Sequence, residues 1–214
     1  MKPAGGAGSE ALLVESPQDK TANDWSPDGR FFLYHSIDPQ TDFDLWVLPL
    51  DGDRKPWVFL KTTFGERWAE FSADGRWVAY MSNESGRYEI YVRPFVNPAA
   101  PPVDDRALAN RGGGQWQVSI AGGLFPRWRP DGTELYYIGP EGQLMAAPVT
   151  ATGTTLEPGT PVALFNTWIY GAGVDNQQGR QYDVTRGGRF LINTVLDDAA
   201  SPITVILNWK PGAK

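Results

Sequence analysis

The sequence predicts an all-β chain built from repeated antiparallel sheets, and three observations carry that reading. The first is a repeat. Asp24-Trp25-Ser26-Pro27-Asp28-Gly29-Arg30-Phe31-Phe32-Leu33-Tyr34 returns as Glu70-Phe71-Ser72-Ala73-Asp74-Gly75-Arg76-Trp77-Val78-Ala79-Tyr80. A third copy runs from Arg127 through Pro130-Asp131-Gly132 to Tyr137, and a fourth runs Asp183 to Ile192 with Gly187 where the others have Asp. The second observation is the chemistry of the turn. Pro presets φ, Asp bonds its own backbone two residues on, and Gly takes the positive φ that completes the reversal. The third is the run after each turn, too short for a helix and rich in aromatic and β-branched residues, hence a strand. One hairpin cannot bury its own apolar face. Repeats spaced about 40–60 residues apart therefore point to blades packed side by side, which is a propeller.

In chain order, 1–10 reads as a flexible lead-in and Ala11–Glu15 as a short strand without a hairpin of its own. The first blade covers 21–61, with strands at 21–25, 31–36, 43–50 and 55–61 and a turn at Asp51-Gly52-Asp53. The second covers 66–119, with strands at 66–72, 76–82, 88–94 and 115–119 and a long Pro/Ala/Gly-rich excursion over 96–114. The third covers 124–165, with strands at 124–128, 134–139, 143–149 and 162–165 and a loop over 151–161. The fourth, 180–209, has strands at 181–184, 189–194 and 203–209, after an irregular segment at 166–179; 210–214 is a tail. The fourth blade lacks one strand and the N-terminus carries a spare, so docking Ala11–Glu15 there would close the ring and cover a free sheet edge.

The residues of the repeat also carry a resemblance. Trp25-Ser26-Pro27-Asp28-Gly29-Arg30 with an apolar strand after it resembles the repeat of TolB-like (WD40-like, PD40) β-propellers. The runs Trp116-Gln117-Val118-Ser119 through Gly122-Gly123 to Pro126-Arg127-Trp128-Arg129, Asp44-Leu45-Trp46-Val47 and Ser82 to Tyr91 extend it. Together they resemble the C-terminal propeller of bacterial serine/threonine protein kinases and related regulators, over about Ala11 to Trp209. The chain contains no Gly-rich kinase loop, no His-Arg-Asp and no Asp-Phe-Gly. The resemblance implies a non-catalytic sensory or protein-interaction module of a bacterial signalling protein, in an extracytoplasmic setting. It also leaves an alternative, the propeller of a larger hydrolase such as a prolyl-oligopeptidase-type peptidase. Propellers of this kind generally have six or more blades and this chain supplies about four. A piece of a longer propeller, a small closed ring (a monomer) and a ring built by two copies (a homodimer) all fit that count.

Composition narrows the partners. Acidic residues outnumber basic ones, 25 to 19, and the basic ones are scattered, so no stripe exists to displace counterions from nucleic acid. The absence of cysteine excludes disulfides and thiolate metal sites. No run reaches the length of a membrane span, and Met1–Ser9 lacks the apolar stretch of a signal peptide.

Each chemical candidate has a plainer reading beside it. His35 is the sole histidine and falls mid-strand, with no Gly-x-Ser-x-Gly elbow anywhere to supply a nucleophile. No metal or cofactor is expected. Asp38, Asp42 and Asp44 have the oxygen chemistry for Ca²⁺ but not the EF-hand spacing, and read as a solvated turn. Arg111-Gly112-Gly113-Gly114 precedes a strand rather than a helix, so it reads as a loop and not as a phosphate cradle. The position before each turn aromatic is charged in all four copies: Asp24, Glu70, Arg127 and Asp183, with Arg67 and Arg180 three residues earlier in two of them. Inner strands line a propeller's channel. These six are therefore either a polar site at its mouth, for a protein, peptide or small ligand, or ion pairs between blades such as Glu70 with Arg127. Trp25, Trp46, Trp68, Trp77, Trp116, Trp128, Tyr80 and Tyr137 read as inter-blade core, and Trp57, Trp168 and Tyr170 as exposed contact residues.

Overall fold

A computed structural model describes residues 9–98, 114–171, 173–175 and 178–195, and among them it contains strands and turns but no helix. The first blade is the antiparallel meander β1 (Lys20–Trp25), β2 (Phe31–Asp38), β3 (Asp42–Pro49) and β4 (Trp57–Leu60). The second is β5 (Glu66–Phe71), β6 (Trp77–Ser82), β7 (Glu89–Pro94) and β8 (Trp116–Gln117). The third has β9 (Leu124–Trp128), β10 (Glu134–Ile138), β11 (Gln143–Thr152), β12 (Thr155–Pro158) and β13 (Val162–Asn166). The described part of the fourth is the hairpin β14 (Tyr182–Val184) and β15 (Phe190–Ile192).

The repeat turn works as its residues dictate. In the first blade the Ser26 and Phe31 backbones bond at 2.9 Å, the Ser26 hydroxyl donates to Asp28 Oδ1 at 2.6 Å, and the same carboxylate accepts the Arg30 N–H. Ser72, Asp74 and Arg76 repeat this set in the second blade. The glycines at the reversal, Gly29, Gly75, Gly132 and Gly188, all have φ between 69° and 76°. That left-handed conformation costs residues with a Cβ about 1–2 kcal/mol.

Three segments differ from expectation. Residues 151–161, expected as a loop, are largely strand: β11 runs on to Thr152 and folds back as β12 across a two-residue turn at Gly153-Thr154. Gly153 supplies the positive φ such a hairpin needs, and Leu156 then reaches the core. Ala11–Glu15 forms no strand. Ala11–Val14 lies along the first blade, sharing a cleft with Ala22, Phe32, Tyr34 and Leu48, because that sheet face is apolar. The strand expected to receive it, 203–209, lies outside the described residues, as do 1–8, 99–113 and the tail. Trp25, expected in the core, is 50% exposed on that same face of the first blade.

The core is the space between blades. Phe31, Leu33, Leu45 and Val47 of the first pack on Phe71, Val78, Tyr80 and Tyr91 of the second. Trp77, Ala79, Met81, Ile90 and Val92 of the second pack on Leu124, Phe125, Leu135 and Tyr137 of the third, and Tyr182, Val184 and Ile192 of the fourth join that cluster. Each fully enclosed side chain of this size contributes about 1.5–3 kcal/mol. Strand alternation sends successive residues to opposite neighbours, so the second and third blades are packed on both faces.

Candidate functional site at the channel mouth

The four inner strands converge through their charged residues. Arg127 is the hub. Its Nη1 donates to Glu70 Oε1 at 3.0 Å, and its Nε and Nη2 donate to Asp183 Oδ1 at 2.9 and 2.6 Å. Arg180 Nη2 lies 3.5 Å from Glu70 Oε2. Asp24 holds the second blade by accepting the Phe71 N–H at 2.9 Å. Backbone stitches repeat the theme: Trp128 Nε1 donates to Glu70 O, and the Tyr182 hydroxyl donates to Phe125 O at 2.7 Å. Five of the six predicted mouth residues therefore meet, and the Glu70–Arg127 pair between blades is present.

Burial dominates the electrostatics here. Glu70 is pushed up to about 7 by desolvation, against the pull of Arg180 and Arg127. Asp24 is also raised by burial, although the Phe71 and Trp25 N–H groups, Arg180 and Arg127 draw it down. Arg127 rises despite its burial because Glu70 and Asp183 favour its charged form.

Arg67 belongs to a different assembly. It is buried, donates to the Tyr88 hydroxyl at 3.1 Å, pairs with Asp175, and stacks 4.0 Å from the Phe43 ring centroid. It ties the first two blades to the 173–175 segment. His35 stands nearby, buried mid-β2, bonded to Asn23 and edge-on to Trp68 and Phe43. Desolvation and the Arg67 charge lower it to about 4. Lys61 Nζ bridges Asp38 at 2.7 Å and Asp44 at 3.0 Å, so an ammonium already stands where those carboxylates would bring a cation. Arg111–Gly113 of the glycine run lies outside the described residues.

Trp168 and Tyr170 are exposed, at 70% and 55%. Trp57 is not: it is half-buried in β4, stacked 5.9 Å from Phe95 and beside Phe59. Its place in a strand, with Phe95 stacked on it just after β7, covers part of its ring.

A groove of about 590 Å³ opens beside the charge cluster, walled by Arg127, Arg180, Gln181, Asp183, Leu191 and Asn193. The Gln181 amide bonds both backbone groups of Tyr170, its Nε2 donating at 2.9 Å and its Oε1 accepting at 3.2 Å. That clasp fixes the exposed aromatic near the groove. Sequence reasoning missed Gln181 and Asn193, which carry no motif. It also missed the bulges at Trp68 and Phe125, where φ is 54° and 55°. Aromatic residues give no warning of a left-handed backbone. The bulges turn both rings between blades, where they meet at 5.8 Å.

Blades fanned about an axis, with inner strands locked by charge, define a β-propeller module. The chain has the TolB-like β-propeller fold: TolB of Acinetobacter baumannii superimposes with a TM-score of 0.58 at 14% identity, over 90% of this chain and 41% of that one. A TolB-like protein of Agrobacterium tumefaciens gives 0.52 at 17%, over 76% and 56%. A puromycin-hydrolyzing peptidase of Mycobacterium tuberculosis gives 0.54 at 17%, over 82% of this chain and 28% of that one. An uncharacterized protein of Agrobacterium fabrum is 27% identical over 117 residues, 53% of this chain and 34% of that protein. The chain thus spans about a third of that relative and about half of the TolB structures. No family model matches it.

Proposed function

We propose that the chain is a non-catalytic propeller module that holds a peptide segment or other polar ligand at the channel mouth, as the sensory or interaction part of a bacterial signalling protein. The observation that carries this reading is Glu70: a buried carboxylate raised to about 7, between two guanidiniums that themselves wall an open groove. Perturbed ionisable groups of this kind beside a concavity mark binding sites more often than ordinary surface. The groove offers amide, guanidinium and carboxylate groups at its floor and the apolar Leu191 on its wall, a mixture suited to an extended peptide. The signalling role and an extracytoplasmic location rest on the resemblance of the repeat to kinase-linked propellers.

The test uses a phage-displayed random peptide library selected on the purified chain. Selected peptides should lose at least tenfold in affinity on Arg180→Gln and keep it on Trp57→Ala, which lies away from the groove. Peptides that bind both variants equally would remove the mouth from consideration. The likeness to a puromycin-hydrolyzing peptidase supports a second reading, a propeller serving a hydrolase. A catalytic α/β domain in the same polypeptide, found by sequencing the surrounding reading frame, would favour it.

A further inference from the structure

Arg127 divides its guanidinium between two carboxylates of opposite exposure. Nη1 holds Glu70, whose side chain is 8% exposed, and the Nε–Nη2 edge holds Asp183, which is 56% exposed. A guanidinium edge of this kind offers two parallel N–H donors, a match for the two oxygens of one carboxylate. Asp183 does not meet it in that way. Both donors converge on Oδ1, at 2.9 and 2.6 Å, and the same oxygen accepts the Val184 N–H at 2.6 Å. Three donors crowd one oxygen, and Oδ2 takes none of them. The Val184 bond ties Oδ1 to the backbone beside it, which keeps the carboxylate from turning both oxygens to Arg127.

Arg180 stands on the wall of the same groove and is held loosely. Its Nη2 lies 3.5 Å from Glu70 Oε2, longer than a good charged hydrogen bond, and that oxygen is buried with no hydrogen-bond partner among the described residues. Both guanidiniums border the groove, and the only carboxylate on its wall is Asp183.

On the reading of the mouth as a binding site, we propose that the Nε–Nη2 edge of Arg127 recognises a carboxylate of the ligand and that Asp183 is a built-in placeholder for it. The incoming carboxylate takes the edge with both oxygens, Arg180 adds a second charged contact, and Asp183 swings into the solvent that already reaches it. The exchange costs little, because an ion pair with one partner more than half exposed adds little to stability. It gains a two-oxygen pairing that Asp183 does not make. Glu70 keeps Nη1 throughout, so the second and third blades stay joined. Glu70 and Asp24 stand behind the two guanidiniums and offset much of their charge, which suits a single carboxylate better than a phosphate dianion. The carboxylate is supplied by the C-terminus of a peptide or by an Asp or Glu side chain.

The test takes the library-selected peptides whose affinity falls on Arg180→Gln. Each is measured as the free acid, as the C-terminal amide, and with every Asp or Glu replaced in turn by Asn or Gln. One of these changes should weaken binding to the unmodified chain about tenfold. Loss on amidation assigns the carboxylate to the C-terminus, and loss on a replacement assigns it to that side chain. Asp183→Asn keeps the shape of the placeholder and removes its charge, so it should tighten the carboxylate form about threefold and leave the neutralised form unchanged. Arg127→Lys keeps the charge and loses the fork, and should abolish the difference between the two forms. Peptides that depend on Arg180 yet bind as well with every carboxylate neutralised overturn the proposal and leave the mouth standing as a binding site. So does a carboxylate preference that Asp183→Asn fails to strengthen, or inorganic phosphate displacing the peptides at lower concentration than acetate. If no selected peptide depends on Arg180, the mouth is not a binding site and the carboxylate site falls with it.

Discussion

At one end of β5, Arg67 is sealed between the Phe43 and Tyr88 rings and paired with Asp175; at the other end, Glu70 is enclosed by Arg127 and Arg180, which stand beside the open groove. Both ends bury a charge between blades. They differ in what lies one layer out: aromatic faces around Arg67, and half-buried guanidiniums with room for water around Glu70. The first arrangement cannot exchange a partner without opening the blades. On the proposed reading, the second trades a guanidinium contact for a ligand contact and leaves the sheets in place. A strand only six residues long thus buries two charges in unlike surroundings.

The largest effect expected from this contrast is on stability. Arg67→Ala removes a buried guanidinium from Asp175, Tyr88 and Phe43 together and should cost about 3–5 kcal/mol. Arg127→Ala exposes Glu70 to a groove that water can enter, and should cost about 1–3 kcal/mol. Urea unfolding of both variants measures the difference directly. Equal losses, or a larger loss for Arg127→Ala, would mean that the mouth is as rigid as the Arg67 end.

How much of this contrast was legible in the sequence depends on the range of the forces behind it. The repeat turn fixes its own hydrogen bonds within six residues, so the strands beside it, and the charged residue just before it, could be placed from local chemistry alone. The convergence of Asp24, Glu70, Arg127, Arg180 and Asp183 came with that placement. Arg67 did not. It sits three residues before Glu70, but an intervening bulge at Trp68 breaks the strand's register and gives Arg67 another neighbourhood. Trp57 and Trp25 exchanged their expected roles for a related reason. Exposure of an aromatic depends on whether another blade or strand end arrives over it, which is a long-range fact. The β11–β12 hairpin was missed because Thr-rich strands around Gly153 look like loop by composition.

A second, smaller contrast separates two carboxylates of β5. Glu66 is raised to about 7 by burial, eased by hydrogen bonding from Thr62 and worsened by Asp44 and Glu84. Glu70 reaches about 7 with two arginines beside it. Each native carboxyl keeps its proton between roughly pH 4.5 and 7 while the unfolded chain has released it, so each makes stability fall as pH rises through that window. His35 acts in the opposite sense. The unfolded chain takes up its proton near 6.5 and the native chain only near 4, so stability rises with pH between those values. With Asp24, also raised by burial, three falling contributions stand against one rising one and leave a net fall. Glu66→Gln should flatten the profile between about pH 4.5 and 6.5 and leave the variant more stable than the parent above pH 7. Glu70→Gln should gain less, because it gives up the attraction of Arg127 and Arg180. Unfolding free energies in urea at a series of pH values read both, and an unchanged slope in Glu66→Gln would contradict the assignment.

The smallest effect concerns the imidazole at the sealed end. Asn23 Oδ1 accepts the Ala69 N–H at 3.4 Å, which turns its Nδ2 toward His35 Nδ1 at 3.0 Å. Asn23 Nδ2 at 3.0 Å is nearer to His35 Nδ1 than Oδ1 at 3.3 Å, an arrangement that favours Nδ1 as acceptor and the neutral ring's proton on Nε2. Protonating Nδ1 would set N–H against N–H in a pocket walled by Trp68 and Phe43, next to the Arg67 charge. An NMR titration of the ring nitrogens should therefore show the Nε2–H tautomer at pH 7 and a midpoint near 4. Asn23→Asp replaces the amide donor by an acceptor, and should move that midpoint upward without disturbing the Glu70 cluster. If the midpoint stays in place in this variant, desolvation and Arg67 alone set the ring's acidity. A midpoint already near 6.5 in the parent would mean that water reaches this end of β5, and the two ends would no longer differ.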